Sequence, residues 1–395
     1  MSRILYIVPA DYDALKAKGV DSMIFDRDER GFFERVVTVH PASDRSRIIE
    51  FNDVFVLHEL GLDIFGSMAR SRLMRIAISP FQLIRAVSAI FKLVHSEKID
   101  IIRANDPFWM GLIGLIAARL TGRPLCVSIH ADYDKREELK GPGETYTFFG
   151  LRWPARLVCR LVLSSADLVL PIRKSLGEWA ISNGADRCRV RVIPHGVNMA
   201  DLESFEKIDL YSKFNIPPGR KIISFVGRLS SENYIADIIE SVRRLAVYRN
   251  DFCLIIAGSG ELETWLKKLL ADEPCLGAVI RYFGFQPRNL CFALRQKSTV
   301  SLCLMGGFSL IEACLARSPV ISYDVEWHGE LVQTDYTGFL LPERDINSVV
   351  CAIEQCLNES GMTAKLGEHA YKLALSRHDH RNSTQIKRKC YEELL

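Results

Sequence analysis

The fold is decided by residues 300–323, which read VSLCLMGGFSLIEACLARSPVISY. An apolar run at 300–304 leads into two glycines and then into a segment with helical spacing, and a second apolar run at 320–323 ends the stretch. A strand, a helix and a second strand in this order form a βαβ unit, in which the two strands are parallel. We therefore expect an α/β protein built around parallel sheets.

The same alternation runs through the rest of the chain. Short runs rich in β-branched residues are separated by segments long enough to form helices. The predicted strands are 4–8, 36–39, 54–58, 99–103, 125–129, 168–171 and 190–193 in the first half, and 222–227, 254–257, 279–283, 300–304, 320–323 and 338–341 in the second. This pattern predicts sheets that are covered by helices on both faces.

The length of 395 residues is too great for a single ordinary core. The alternation is interrupted between His195–Asn198, which has the composition of a turn, and Pro217–Gly219, which has that of a linker. We therefore predict two doubly wound, Rossmann-like domains, at residues 1–205 and 206–375. Because ligands of open α/β sheets bind at the carboxyl ends of the strands, we expect the domains to face a central cleft that holds the ligand.

The composition is that of a globular protein from a reducing compartment. Hydrophobic residues make up 48% of the chain, and a net charge of only +3 argues against nucleic-acid binding. The eleven cysteines are scattered, without a C-x-x-C pair or a Cys/His cluster of zinc spacing. No apolar run reaches the roughly 18 residues that span a bilayer, and Ile4–Ala10 is predicted to be a buried strand rather than part of a signal peptide. These features predict a cytoplasmic protein without a disulfide framework or a structural metal.

Gly306 and Gly307 stand where a predicted strand ends and a predicted helix begins. Glycines at this point let backbone N–H groups approach a phosphate, and the N-terminus of the helix favours its negative charge. Glu312, in the second turn of that helix, can accept hydrogen bonds from both hydroxyls of a ribose. Spacing alone leaves an ordinary helix start with a surface glutamate as an equal alternative.

Arg228 and His130 each follow a predicted strand directly. A guanidinium at the end of a strand can bind a diphosphate through two parallel hydrogen bonds, although a surface ion pair would explain Arg228 as well. By the same geometry, His130 is expected to face the cleft from the first domain. A histidine in such a place is more often structural than catalytic.

Taken together, these segments resemble family 4 of the retaining glycosyltransferases, which have the GT-B fold. The resemblance covers most of the chain and is densest in its second half. The motifs that carry it are Ile193–Asn198, Val226–Leu229, Ala257–Gly260, Tyr282–Phe285, Ser309–Ala313 with Pro319–Ile321, Gly338–Pro342 and Tyr391–Leu395. Each motif is short, whereas their order and spacing together are specific.

The resemblance implies a metal-independent enzyme without a cofactor. It would move a sugar of the hexose type from a UDP- or GDP-linked donor to a glycan, lipid-linked or small-molecule acceptor, with retention at the anomeric carbon. The implied site residues are His130 and Arg228 for catalysis, Asp106 and Asp132 on the acceptor side, and for the donor Gly306, Gly307, Phe308, Ser309, Leu310, Glu312, Ser259, Phe283 and Gly284. A C-terminal helix at 376–395 is expected to pack back on the first domain, with Ile386, Cys390 and Leu394 at helical spacing.

Three places depart from the family pattern. Leu304 stands at the place of the first of two donor-motif glutamates, and Asn233 at the place of a lysine that neutralises the donor diphosphate. The glycine pair that many members carry after the first strand is replaced by Pro9–Tyr12. These departures leave two other functions open, namely a degenerate protein that binds nucleotide or glycan, and a sugar-nucleotide epimerase or glycan phosphorylase on the same fold.

One predicted helix could touch the inner face of a membrane. Arg85 and Lys92 lie off its apolar face. The residues of that face are Ile84, Val87, Phe91 and Val94. Contact with anionic lipid is one interpretation, and a core-facing helix with a solvated basic side is the other.

Overall fold

The computed structural model describes residues 2–9, 11–17, 21–62, 72–131, 133, 148, 151–199 and 209–395. The chain divides into two compact units. The first consists of Met1–Pro194 together with Ser383–Leu395, and the second of His195–Asn382. The boundary expected from the sequence, between residues 205 and 206, falls outside the described residues.

The first unit is built around a seven-stranded sheet. Its strands are β1 Ser2–Ile7, β2 Phe33–His40, β3 Arg47–Glu50, β4 Phe55–Glu59, β5 Ile101–Ala104, β6 Leu125–Ile129 and β7 Leu168–Pro171, in the spatial order β3-β4-β2-β1-β5-β6-β7. Its helices are α1 Tyr12–Ala17, α2 Arg72–Ser96, α3 Trp109–Thr121, α4 Arg152–Ser165 and α5 Lys174–Ser182. All neighbouring strands are parallel except β3, which runs antiparallel to β4.

Both faces of this sheet are covered, which explains why its strands are mostly apolar. Along β1, Leu5 and Ile7 lie in the core that α2, α3 and α4 cover, whereas Ile4 and Tyr6 lie in a core on the other face. Successive side chains of a strand point to opposite faces. A strand buried on both sides therefore consists mainly of apolar residues.

The second unit is built around a six-stranded parallel sheet. Its strands are β8 Lys221–Val226, β9 Phe252–Ala257, β10 Ile280–Tyr282, β11 Val300–Leu302, β12 Val320–Tyr323 and β13 Gly338–Leu341, in the order β10-β9-β8-β11-β12-β13. The helices that follow in chain order are α6 Leu210–Lys213, α7 Ile235–Ala246, α8 Glu263–Asp272, α9 Pro274–Val279, α10 Arg288–Lys297, α11 Phe308–Leu315, α12 Ile346–Asn358, α13 Ser360–His378 and α14 His380–Glu392.

The strand order of each sheet reverses once. In the second unit the chain runs outward from β8 to β9 and β10, then returns to β11 on the other side of β8 and continues to β12 and β13. In the first unit the reversal lies between β1 and β5. At such a switch point the loops at the carboxyl ends of two neighbouring strands diverge and leave room for a ligand.

Two details of the sheet prediction were wrong. The segment at 190–193 is not a regular strand: it bonds to β7 through Arg191 N and Ile193 N, and Pro194, which has no N–H, follows directly. Strand β3 was missed, because Arg47–Glu50 is a short edge strand with alternating exposure and a polar residue at each end.

The C-terminal helix α14 begins in the second unit, and its residues from Ser383 onward belong to the first. Tyr391 is fully buried there, with its ring centroid 5.1 Å from that of Phe33. Cys390 is buried as well, but Ile386 is 41% exposed, so the apolar face of the helix differs from the one expected from spacing. Within the described part of the chain, no helix combines the length and the apolar character needed to cross a membrane.

Candidate functional site at the carboxyl edge of the second sheet

The loops after β8 and β11 flank the switch point of the second sheet. Arg228 lies in the first of these loops, and Gly306 and Gly307 lie in the second. The two strands are hydrogen-bonded neighbours, since Val300 pairs with Ile223. The topology therefore places a cation and a glycine turn on the two sides of one crevice.

The loop after β8 is held against the loop after β9 by backbone contacts. Gly227 N donates to Ala257 O at 3.1 Å, and Leu229 N donates to Ser259 O at 3.1 Å. Gly258 has φ 145°, and a Cβ atom there would lie 1.8 Å from Gly227 O. Only glycine fits at this position, which keeps the loop that contains Arg228 in contact with the loop after β9.

Arg228 itself is exposed. Its side chain forms no ion pair with any residue that the structure describes. Asn233, at the place of the family lysine, donates from Nδ2 to the Arg228 carbonyl at 2.7 Å. This amide closes the turn after β8, so Asn233 contributes to the shape of the loop rather than a charge.

Gly307 is the N-cap of α11 and has no side chain to bond the first amides of the helix. A Cβ atom at Gly307 would meet nothing within 4 Å, whereas one at Gly306 would lie 3.0 Å from Leu310 Cβ. Gly306 thus permits close packing of the turn on the helix, and Gly307 leaves its outer side open. The N–H groups of Phe308, Ser309 and Leu310, at the positive end of the helix dipole, are suited to an anion.

His328 supports this turn through the backbone of Gly306, and no sequence pattern predicted this role. It is fully buried, and its Nε2 lies 3.2 Å from Gly306 N and 3.0 Å from Gly306 O. Its Nδ1 lies 2.6 Å from Ser322 Oγ and 3.1 Å from Tyr323 O. When Nδ1 carries the proton, Nε2 accepts from Gly306 N–H and fixes the turn to the end of β12. A histidine 22 positions along the chain gives no signal for such a contact.

Glu312 is buried beneath the start of α11, where two arginines hold it. Its Oε1 accepts from Arg288 Nε at 2.7 Å, and its Oε2 accepts from Arg295 Nη1 at 2.5 Å. Arg295 is only 2% exposed, so the carboxylate balances a buried cation. Each carboxylate oxygen keeps a further acceptor position, which leaves the predicted ribose contact chemically available.

Arg288 also contacts the first residue of α11. Its guanidinium carbon lies 5.2 Å from the centroid of the Phe308 ring, and its side chain is half exposed. With Arg228 and Arg295 it makes three cations against the single carboxylate of Glu312, so these four side chains carry two positive charges in excess. This is the sign of charge that a diphosphate requires.

Leu304, at the place of the first family glutamate, is fully buried in the apolar core of the second unit. Its carbonyl accepts from Tyr323 N at 3.4 Å. A carboxylate on this side chain would enter a core without a charged partner among its cluster of apolar neighbours, which is energetically costly.

The loop after β10 contains the residues expected to lie against the nucleobase. Gly284 O accepts from Gly258 N at 2.7 Å, which ties this loop to the one after β9. The Phe283 ring packs inward on Phe214, with centroids 4.5 Å apart, while Phe285 is 72% exposed. Of the two phenylalanines, Phe285 thus has the free ring face, and the sequence analysis did not select it.

The remaining predicted residues lie in the first unit. His130 is exposed directly after β6, and Asp132 lies outside the described residues. Asp106 follows β5 at the switch point, but it is buried, and its Oδ1 accepts from Phe108 N at 2.8 Å and Met110 N at 3.3 Å. Burial raises the pKa of this carboxyl to about 6, against the opposing effect of the two amides. Asp106 therefore caps the start of α3.

No group of three or more His, Cys, Asp or Glu side chains converges as a metal site in the part of the chain that the structure describes.

Two family models match the chain. The model of Glycosyltransferase Family 4 matches residues 13–201, and that of the group 1 glycosyl transferases matches residues 207–373. Together they leave out only the two ends of the chain and the five residues between the two matched ranges.

Individual relatives agree with this result. The UDP-Gal:alpha-D-GlcNAc-diphosphoundecaprenol alpha-1,3-galactosyltransferase of Escherichia coli is 27% identical over 292 residues, which are 70% of this chain and 71% of that protein. The solved structure of sucrose-phosphate synthase from Thermosynechococcus elongatus has a TM-score of 0.77 at 17% identity, covering 100% of this chain and 99% of that one. Alr3699/HepE of Anabaena, solved with UDP and glucose, has a TM-score of 0.74 at 17% identity and covers 100% of both chains.

At this level of identity the solved structures establish the fold, and the two family models establish the family. The chain belongs to the family 4 glycosyltransferases and has their GT-B fold.

Proposed function

We propose that this glycosyltransferase takes a hexose from a UDP-linked donor and transfers it with retention at the anomeric carbon. The observation that carries the proposal is the pairing, at one switch point, of the exposed Arg228 with the open Gly307 turn. A nucleoside diphosphate gains negative charge as it leaves the sugar. A guanidinium and uncapped helix amides are the groups that stabilise such charge.

Arg288 would supply the second cation that the family obtains from its lysine. Its guanidinium lies beside Phe308 at the helix start, and its partner Glu312 is shared with Arg295. In this proposal Arg228 and Arg288 stabilise the departing diphosphate. For His130, which lies in the first unit, contact with the donor sugar stays a prediction from the family resemblance.

The nucleobase and the acceptor are inferred from relatives. The Anabaena protein was solved with UDP and glucose, and the Escherichia coli relative is named for a UDP-galactose donor and a diphosphoundecaprenol-linked acceptor. We propose UDP as the leaving group and a lipid-linked sugar as the acceptor. A thermal-shift panel of UDP-, GDP- and ADP-sugars tests the donor, and stabilisation by GDP- or ADP-sugars alone would overturn this choice.

Product formation tests the reaction itself. The enzyme is incubated with the donor that stabilises it and with lipid-diphosphate or free-sugar acceptors, and NMR of the product gives its anomeric configuration. Inversion would contradict the proposed stereochemistry. We expect full activity in EDTA because the arginines and amides supply the positive charge, and a requirement for added Mg²⁺ or Mn²⁺ would contradict metal independence.

The ribose contact of Glu312 needs a test that separates it from the role of Glu312 in holding Arg295. Replacing Glu312 by Ala would leave Arg295 buried without its partner, so Glu312→Gln is the better variant. Calorimetry compares UDP with 2′,3′-dideoxy-UDP on wild type and variant. We expect Glu312→Gln to weaken UDP binding about tenfold and to leave dideoxy-UDP binding nearly unchanged. An equal loss for both ligands would assign Glu312 to support of the fold alone.

We further propose that the enzyme works in a reducing compartment, at the cytoplasmic face of the membrane that holds the acceptor. All eleven cysteines are free thiols, and most are buried. On α2, Val87 and Val94 are buried whereas Ile84 is 63% exposed and Phe91 is exposed as well. Two of the four residues of the expected apolar face therefore lie in the core, and the other two are exposed and available for contact with lipid.

A nucleotide-binding protein without transferase activity is the second candidate. It is favoured by Leu304, which is part of the core, and by Asn233, which is committed to the turn after β8. UDP binding without product from any donor and acceptor pair would favour this candidate.

A further inference from the structure

We propose that the outer face of α4 is a membrane-docking surface for a bilayer containing anionic lipid. We name this face the α4 stripe. It consists of Trp153, Leu157 and Leu161, together with Arg156 and Arg160.

The three apolar residues of the stripe recur every fourth position and so share one side of the helix. Trp153 is 67% exposed, Leu157 61% and Leu161 51%. The opposite side of the helix holds Ala155, Cys159, Val162 and Leu163, which are buried in the core of the first unit. The helix is thus apolar on two sides, although only one of them is needed for folding.

A single exposed leucine on a protein surface requires no explanation. A row of a tryptophan and two leucines does, because contiguous apolar surface marks a site of interaction. The indole of Trp153 adds a feature typical of membrane interfaces, where its apolar ring and polar N–H meet different surroundings.

The positive charge beside the apolar residues of the α4 stripe indicates which kind of partner binds there. Arg156 and Arg160 are exposed, and neither forms an ion pair within the described part of the chain. Helix α4 contains no aspartate or glutamate. Apolar residues flanked by exposed arginines match a bilayer surface, where the row enters the acyl boundary and the guanidinium groups meet lipid phosphates.

A second copy of the chain fits this surface poorly. A symmetric dimer through the α4 stripe would pair the same patch from two protomers. Arg156 and Arg160 of one protomer would then approach the same arginines of the other, with no acid on either helix to compensate. Charge complementarity therefore favours lipid over self-association.

The surface would bring the enzyme to the lipid-linked acceptor proposed above. Binding to vesicles, however, is measured without any sugar transfer, so each proposal can fail alone. The full chain is mixed with vesicles of phosphatidylcholine, with or without phosphatidylglycerol, and the bound fraction is measured by flotation. Calorimetry with UDP on every variant confirms that the second unit is intact.

Two double variants test the two components of the stripe. We expect Leu157→Gln with Leu161→Gln to reduce binding to phosphatidylglycerol vesicles by at least about tenfold. We expect Arg156→Gln with Arg160→Gln to reduce it by about fivefold per arginine, and the loss should shrink at high salt. The control for the leucine variant is Val247→Gln with Tyr248→Gln, which replaces two exposed residues of the second unit. The control for the arginine variant is Lys268→Gln with Lys297→Gln, which removes two positive charges from the second unit.

Wild-type binding that both stripe variants lose and both controls keep would establish the surface. The proposal is overturned if wild type does not bind, or if the stripe variants bind as well as the controls. It is also overturned if sedimentation reveals a dimer that Leu157→Gln with Leu161→Gln converts to monomer, since the stripe would then be a protein interface.

Discussion

Arg228 differs in its surroundings from Arg288 and Arg295, which share the carboxylate of Glu312. Its side chain is exposed and has no ion pair among the described residues. Charge develops on a leaving diphosphate only as the glycosidic bond breaks, so a group that meets this charge acts mainly on the chemical step. We expect Arg228→Ala to lower kcat by a factor on the order of 10²–10³ and to weaken UDP binding much less.

Steady-state kinetics with the preferred donor measures the first effect, and calorimetry with UDP the second. Lys268→Ala, an exposed cation on α8, serves as the control. Wild-type turnover in Arg228→Ala would remove this residue from the mechanism.

His328 acts on the site through the backbone of Gly306, so its role differs from that of Arg228. In His328→Ala the Gly306 N–H loses its buried partner, and the turn that presents the helix amides is no longer fixed. We expect UDP affinity to fall about tenfold and His328→Gln to recover part of it, because an amide can still reach the turn.

Ser322→Ala is the control, because it removes one of the two partners of Nδ1 and leaves the Tyr323 carbonyl and the contact with Gly306 in place. Thermal melting is recorded for all three variants. A lower melting temperature with unchanged UDP affinity would make His328 a purely structural residue.

Helix α3 begins with a buried carboxylate, and its stability should depend on pH. The pKa of Asp106 is raised by burial from 3.8 to about 6, so the folded protein holds this proton more tightly than the unfolded chain does. The resulting stabilisation is present below the lower pKa and is lost as pH rises through the higher one. Asp106→Asn keeps an oxygen for the amides of Phe108 and Met110 but does not titrate.

We therefore expect the free energy of unfolding of Asp106→Asn to improve relative to wild type between about pH 4 and pH 7, by up to about 3 kcal/mol. Urea denaturation at several pH values measures this difference. A difference that stays constant over the range would contradict the raised pKa.

The turn at Gly306 and Gly307 could be predicted from the sequence, whereas the contacts that hold it in place could not. Paired glycines between an apolar run and a helical pattern predict a turn between a strand and a helix, and the family resemblance gives this turn the role of binding a phosphate. The contacts that hold it come from His328 and, through Glu312, from Arg288 on α10. These partners belong to other elements, and only the packing of those elements brings them within reach.

The C-terminal segment joins distant parts of the chain into the first unit. The Tyr391 hydroxyl accepts a hydrogen bond from Arg103, and Lys387 Nζ lies 2.6 Å from Glu29 Oε2. Tyr391→Ala removes a fully buried ring and should lower the free energy of unfolding by about 3–5 kcal/mol. Tyr391→Phe keeps the ring and leaves Arg103 short of one acceptor, which should cost about 1–3 kcal/mol.

Denaturation of the two variants measures both values, and UDP binding to the second unit should remain at the wild-type level. Equal stability of Tyr391→Ala and wild type would show that this segment does not contribute to the folding of the first unit.

The amino-acid sequence by itself determined the class of fold, the two sheets and the position of the glycine turn. These depend on local patterns, because a strand buried on both faces must be apolar and a turn that approaches a phosphate needs glycine. Tertiary structure alone decided that Glu312 balances Arg295, that Asp106 caps α3, and that Asn233 closes the turn beside Arg228. It also decided which apolar residues of α4 stay exposed. Each of these outcomes depends on partners that only the folded chain brings close, and the spacing of residues along a sequence contains no record of them.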